Sequence, residues 1–254
     1  MNLVRKIFSL IAFLSALSCF AGTFGQPPYL WVGSWALRYQ SDPCGASELP
    51  RALEHRNVFV NYLQSKISSS GTNISFNHRL SYEDYNASIS SFTQTDKNLC
   101  EVVFYTGHGT GGSGQLSFRN GSSCEYSRNF LYGGEYTKWV FLEACHFFQY
   151  NRNPWNYYSM FNGAHAIFGF ASQYWWFIKQ TNSNWDKFWH GGQYARSEDR
   201  WKYFWNNWFS GQQMWAAYTT AMKKSHDELG KGVEPAVAML FGSKYPVKPV
   251  FRAY

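Results

Sequence analysis

The sequence predicts an α/β protein in which a mostly parallel central sheet is flanked by helices. Three observations carry that expectation. Short apolar runs recur at 102–105 and 139–142, and at 164–171 around His165, as strands covered on both faces of a parallel sheet require. Apolar residues at helical spacing fill stretches between and after them, notably 47–66 and 211–228, and that alternation builds layered α/β domains. No fixed-period repeat and no low-complexity linker divides the 254 residues, a length that one domain accommodates.

The chain opens differently from the way it continues. Arg5 and Lys6 lead into an apolar run over 7–19, followed by the small residues Ala21, Gly22 and Gly25. This is the layout of a secretory signal peptide. Residues 1–25 are therefore expected to be a signal peptide and residues 26–254 a single α/β domain. The apolar run falls short of the roughly 20 residues of a membrane span, and no later stretch is longer. Ala16 stands three residues before Cys19, where a lipoprotein signal carries Leu, so lipid anchoring is not expected. These features predict a secreted or periplasmic protein without stable membrane insertion.

Past the signal segment, Tyr29-Leu30-Trp31-Val32-Gly33-Ser34-Trp35-Ala36-Leu37 reads as a buried first strand, and Ser41-Asp42-Pro43-Cys44-Gly45 as a loop. A helix is expected over 47–66, a short strand over 74–76, and a second helix beginning near Ser81 with Glu83 and Asp84 in its first turn. The three apolar runs supply further strands, and 211–228 a late helix. Aromatic residues make up 20% of the chain and charged residues only 15%, a balance that excludes intrinsic disorder. A net charge of +7, two units of which are Arg5 and Lys6, is spread without a basic run longer than Lys223-Lys224. A solvated surface accounts for it, and no nucleic-acid partner is expected.

Two of the apolar runs end in chemically loaded residues. Val102-Val103-Phe104-Tyr105 leads into Thr106-Gly107-His108-Gly109, and Trp139-Val140-Phe141-Leu142 leads into Glu143-Ala144-Cys145-His146. Functional side chains of open parallel sheets gather beyond the carboxyl ends of neighbouring strands. The stretch between His108 and Cys145 is long enough for a crossover connection between adjacent parallel strands. A Cys and a His brought together make a nucleophile and its general acid/base. The backbone N–H groups of Gly109 and Cys145 are the candidate donors for a developing oxyanion.

An apolar block closing in His-Gly, followed some tens of residues later by one closing in Ala-Cys, resembles the signature of the caspase, legumain, gingipain and clostripain cysteine peptidases. The blocks Phe104-Tyr105-Thr106-Gly107-His108-Gly109 and Phe141-Leu142-Glu143-Ala144-Cys145 are most similar to the legumain and gingipain branch and to uncharacterised secreted bacterial members. The resemblance covers residues 100–146. It implies a caspase-like three-layer α/β fold and peptide-bond hydrolysis through a thioester. It also implies Cys145 as nucleophile and His108 as general acid/base, with a protein or peptide as substrate and no cofactor or metal. His146, directly after the nucleophile, and the Trp-rich stretch after Pro154 depart from that pattern.

Other residues stay open between roles. Glu143 shares a strand face with Cys145, so it either orients His108, shapes a pocket, or is an exposed strand-end carboxylate. His146 and His165 are pocket candidates or satisfied core histidines. Residues 111–114 (Gly-Gly-Ser-Gly) suit a loop beside a cleft and match no phosphate-binding motif. Nine of the twelve Trp fall between Trp155 and Trp215, as core or as an aromatic platform for glycans or proteins. That platform motivates the rival reading, a catalytically silent binding module on the same fold. Cys44, Cys100 and Cys124 offer three disulfide pairings if Cys145 remains a thiol, and none of the four is spaced as CxxC. Oligomeric state leaves no mark in the sequence.

Overall fold

Successive residues of a strand face opposite sides of its sheet, and in this chain both sets are apolar. The computed structural model describes residues 29–39, 48–71, 73–92, 97, 99–110, 115–120, 123–127, 132–133, 137–148, 160–171, 178–180, 194–196, 198–229, 235–239 and 250–253. Residues 1–25, expected to be a signal peptide, and the segments 41–45 and 111–114, each expected to be a loop, lie outside them.

Among the described residues the central sheet holds seven strands. β1 (Tyr29–Ala36) and β2 (Ser75–Glu83) flank the helix α1 (Ala52–Ser69), and β3 (Val102–Thr106) follows. A small antiparallel sheet comes next, from β4 (Gly109–Thr110), β5 (Gln115–Asn120) and β6 (Ser123–Ser127). β7 (Tyr132–Gly133) then precedes β8 (Trp139–Glu143), β9 (Phe161–Asn162) pairs with β7, and β10 (Ala166–Phe170) rejoins the central sheet. β11 (Ile178–Gln180) and β12 (Tyr194–Arg196) pair antiparallel. α2 (Asp199–Phe209), α3 (Met214–Leu229), β13 (Pro235–Met239) and β14 (Val250–Ala253) complete the order. The central sheet runs β2-β1-β3-β8-β10-β13-β14, parallel from β2 to β10 and antiparallel at β13 and β14.

This is the expected α/β architecture, three layers built on a mostly parallel sheet flanked by helices. Val102 and Phe104 of β3, Trp139 and Phe141 of β8, and Ala166 and Phe168 of β10 pack into one core with Phe59, Leu63, Trp201, Trp205 and Tyr218. Helices α1, α2 and α3 thus cover one face together. Val103, Tyr105, Val140, Leu142 and Ile167 point the other way, into a core shared with Trp35, Tyr39, Phe92, Phe118, Phe147 and Phe148. Among the described residues that second face is covered by turns and by the small β4-β5-β6 sheet.

The helix expected from Ser81 is replaced by strand. β2 continues through Ser81, Tyr82 and Glu83, paired with Ser34, Trp35 and Ala36, before a single 3-10 turn at Asp84–Asn86. Tyr82 stacks on Trp35 with ring centroids 5.3 Å apart. The Asp84 carboxylate accepts the backbone N–H groups of Arg38 (2.6 Å) and Tyr39 (3.2 Å) instead of opening a helix. The expected helix at 47–66 begins at Ala52, just past Pro50, which has no N–H to give to a helix interior. No helix among the described residues is long and apolar enough to cross a membrane.

Candidate active site

Strand register brings the turns that carry His108 and Cys145 side by side. β3 and β8 pair from Val102↔Trp139 to Thr106↔Glu143, so His108 and Cys145 each stand two residues beyond a matched pair of strand ends. The two turns are in contact. A Cβ added at Gly109 would lie 2.3 Å from the Cys145 carbonyl oxygen and 3.1 Å from the Cys145 nitrogen, so only glycine lets these backbones approach so closely. Gly107 donates its N–H to the Glu143 carbonyl at 3.1 Å, which extends the β3–β8 pairing up to the histidine.

His108 is clamped through its own backbone. Its N–H donates to the Tyr39 hydroxyl at 3.1 Å, and its carbonyl accepts the Ser117 N–H at 3.0 Å. The Tyr39 ring lies against the imidazole, with centroids 4.7 Å apart. Tyr39 adopts φ 57°, a left-handed conformation that non-glycine residues rarely take, and the Asp84 carboxylate fixes it. The Tyr39 hydroxyl donates in turn to the Ser117 carbonyl at 2.7 Å. Burial pushes this phenol up to about 12, against the pull of its hydrogen bonds to Ser117, Tyr105 and His108. Tyr39 therefore stays a neutral donor and acceptor at any physiological pH.

Cys145 is a partly exposed thiol outside any disulfide, whereas Cys100 is a thiol in the core. Cys124 is disulfide-bonded, so the two pairings that would use Cys100 are excluded, and Cys44 lies outside the described residues. His146 has φ 54°, so the turn that follows the cysteine is itself strained. The His146 Nδ1 is buried without a hydrogen-bond partner among the described residues.

Two sequence candidates lie elsewhere than expected. The Glu143 Oε1 accepts Nδ1–H of His55 at 2.8 Å and Nε1–H of Trp201 at 2.5 Å, in the core beneath the turn. Glu143 is thus the centre of a buried polar group and not a strand-end carboxylate exposed to solvent. His55 approaches Glu198 on its other side at 3.9 Å, and Arg51 is ion-paired with the same carboxylate. His165 is exposed beside Ala166, which pairs with Trp139 at the start of β8. With about 3.3 Å of rise per residue, it sits roughly a full strand length away from Cys145 and is not a pocket residue. The described tryptophans of the Trp-rich stretch include Trp201 and Trp205, each 1% exposed, and these belong to the core and not to a surface platform. Trp155, Trp175, Trp176, Trp185 and Trp189 lie outside the described residues.

Sequence reasoning did not single out Tyr39, Asp84, Ser117 or His55. Each becomes visible only when strand order is known, because it meets its partner across a gap of 46 to 88 residues for Arg38–Asp84 and His55–Glu143.

No curated protein matches the chain. Residues 34–188 match a protein family described as a domain of unknown function, and the match begins in β1 and takes in both His108 and Cys145. With more than half of its length covered, the chain belongs to the DUF6345 family.

Proposed function

We propose that this protein is an exported cysteine peptidase-like hydrolase in which Cys145 is the nucleophile and His108 the general acid/base. The observation that carries the reading is the register of β3 and β8, which leaves His108 and Cys145 level with each other in turns that touch at Gly109. The resemblance of both blocks to the caspase, legumain and gingipain peptidases supports the same roles. The disulfide at Cys124 supports export, since disulfides persist in oxidising compartments.

In this reading the Cys145 thiolate attacks the carbonyl carbon of a peptide bond, and the displaced electron pair moves to oxygen, where the Gly109 and Cys145 N–H groups receive it. Collapse of that intermediate breaks the C–N bond. The His108 imidazolium gives its proton to the departing amine and leaves a thioester on Cys145. Water then loses a proton to His108 and attacks the thioester carbonyl, which releases the acid and regenerates the thiolate.

The test is incubation of the purified secreted protein with a fluorogenic peptide library, beside Cys145→Ala and His108→Ala. The reading predicts cleavage by the wild type that falls at least about a thousandfold in either variant. Equal cleavage by wild type and Cys145→Ala would remove the assignment.

A further inference from the structure

We infer that Tyr39 is the positioning residue of His108, holding the imidazole toward Cys145 from the end of the neighbouring strand. This rests on the peptidase-like reading above and names a third side chain for that site. β1 pairs with β3 up to Ala36↔Thr106, so the residues just past its end emerge on the flank of His108 away from β8. Tyr39 is fully buried there. It reaches the histidine in two ways, with its ring tilted against the imidazole at a centroid separation of 4.7 Å and its hydroxyl as the acceptor for the His108 N–H.

The clamp is built in depth. Asp84 holds the left-handed turn through the N–H groups of Arg38 and Tyr39, and its other oxygen takes the Arg38 guanidinium at 2.9 Å. The Tyr39 hydroxyl is fixed from the far side by the Ser117 carbonyl. Tyr105 donates to that carbonyl as well, at 2.5 Å. A Cβ at Gly107 would fall 3.0 Å from the Tyr39 oxygen and 2.4 Å from that of Tyr105, so the Gly107-His108-Gly109 turn is moulded on these two phenols on one side and on Cys145 on the other. A backbone held at N–H, carbonyl and both neighbours leaves the imidazole few ways to turn. Orientation of this kind governs whether an imidazolium stabilises an adjacent thiolate.

The variant Tyr39→Phe keeps the ring and removes the hydroxyl. The measurement is the rate of Cys145 alkylation by iodoacetamide against pH, in wild type, Tyr39→Phe, His108→Ala and the double variant. It is read beside the 1H–13C NMR titration of the His108 imidazole and a circular dichroism spectrum of each protein. The inference predicts that Tyr39→Phe slows alkylation below neutral pH about tenfold, as a one-unit rise in the thiol pKa requires. It also predicts a shifted His108 titration and no further slowing when His108→Ala is added.

If Tyr39→Phe gives a wild-type profile while His108→Ala is slow, the inference is overturned and the dyad stands. If wild type and His108→Ala react alike, the dyad itself falls. Should Tyr39→Phe fail to fold, Asp84→Asn carries the same comparison, because it loosens the turn without touching the phenol. A folded Asp84→Asn with a wild-type profile overturns the inference equally.

Discussion

Glu143 and His55 are hydrogen-bonded at 2.8 Å with both side chains completely withdrawn from solvent. The carboxylate stands two residues before Cys145 and the imidazole on α1, so the pair ties the strand that ends in the candidate nucleophile to the helix packed beneath it. Trp201 of α2 donates to the same oxygen, and three elements thus converge on one atom. A buried polar group of this kind stabilises only while every member is paired.

Removing its centre is therefore expected to be costly. Glu143→Ala strands the His55 and Trp201 donors and should destabilise the protein by about 3–5 kcal/mol. Glu143→Gln keeps an acceptor oxygen and should cost less than half of that. Urea melts of the three proteins check the order, and a Glu143→Ala loss below about 0.5 kcal/mol would contradict it.

Gly109→Ala places a methyl carbon 2.3 Å from a backbone oxygen that cannot swing aside. The turns must separate, and both stability and Cys145 alkylation should fall. Gly71→Ala is the comparison: Gly71 has φ 68° and open space around it, so it carries only the left-handed strain of about 1 kcal/mol. The expected result is a loss of Cys145 reactivity in the first variant and wild-type reactivity in the second, measured at a temperature where both are folded.

Glu101 gives the fold a pH dependence of definite sign. Its carboxylate accepts the Trp31 N–H at 2.7 Å. Burial pushes it up from 4.5 to about 7, against that hydrogen bond and the charges of Arg79 and Lys138. The folded protein therefore holds this proton more tightly than the unfolded chain. The stabilisation is complete below about pH 4.5 and is lost as pH rises through about 7. Relative to Glu101→Gln, which cannot titrate, the wild type should lose about 1–3 kcal/mol between pH 4.5 and pH 8. Urea melts of the pair at both pH values test this, and an unchanged difference would contradict it.

Trp201 separates the core from the platform reading of the tryptophans. Its ring stands edge-on to Phe59, Phe104 and Phe141 at 4.9, 5.3 and 5.8 Å. Trp201→Ala should cost about 3–5 kcal/mol by the cavity it leaves, and Trp201→Phe less. A Trp201→Ala protein of wild-type stability would contradict its place in the core.

The parallel strands were legible because burial on both faces writes an unbroken apolar run, as in Val102 to Tyr105. β2 was legible only at its start, in the strand expected over 74–76; beyond it the strand at the sheet edge alternates half-exposed and exposed residues, and Glu83 and Asp84 together imitate a helix start. The β4-β5-β6 sheet hides for a related reason: its strands are short and carry Ser, Arg and Asn. At the candidate site, the placement of His108 and Cys145 just past neighbouring strand ends was legible from the two apolar runs. Their supports were not, because Tyr39 and Asp84 act through backbone geometry that no spacing encodes. Glu143 was placed on its correct strand face, yet its partner His55 lies on α1 and could be found only through the fold. His165 shows the converse, a histidine beside an apolar run whose register puts it at the wrong end of the sheet.

The most direct test of the dyad uses the two thiols of the described residues as each other's control. The native protein is alkylated with iodoacetamide between pH 5 and 8, and the modification of Cys145 and Cys100 is followed by mass spectrometry in wild type and His108→Ala. The account predicts fast alkylation of Cys145 that persists below neutral pH and slows in His108→Ala, with buried Cys100 unmodified in both. Cys145 reacting no faster than Cys100, or equally fast without His108, would contradict it.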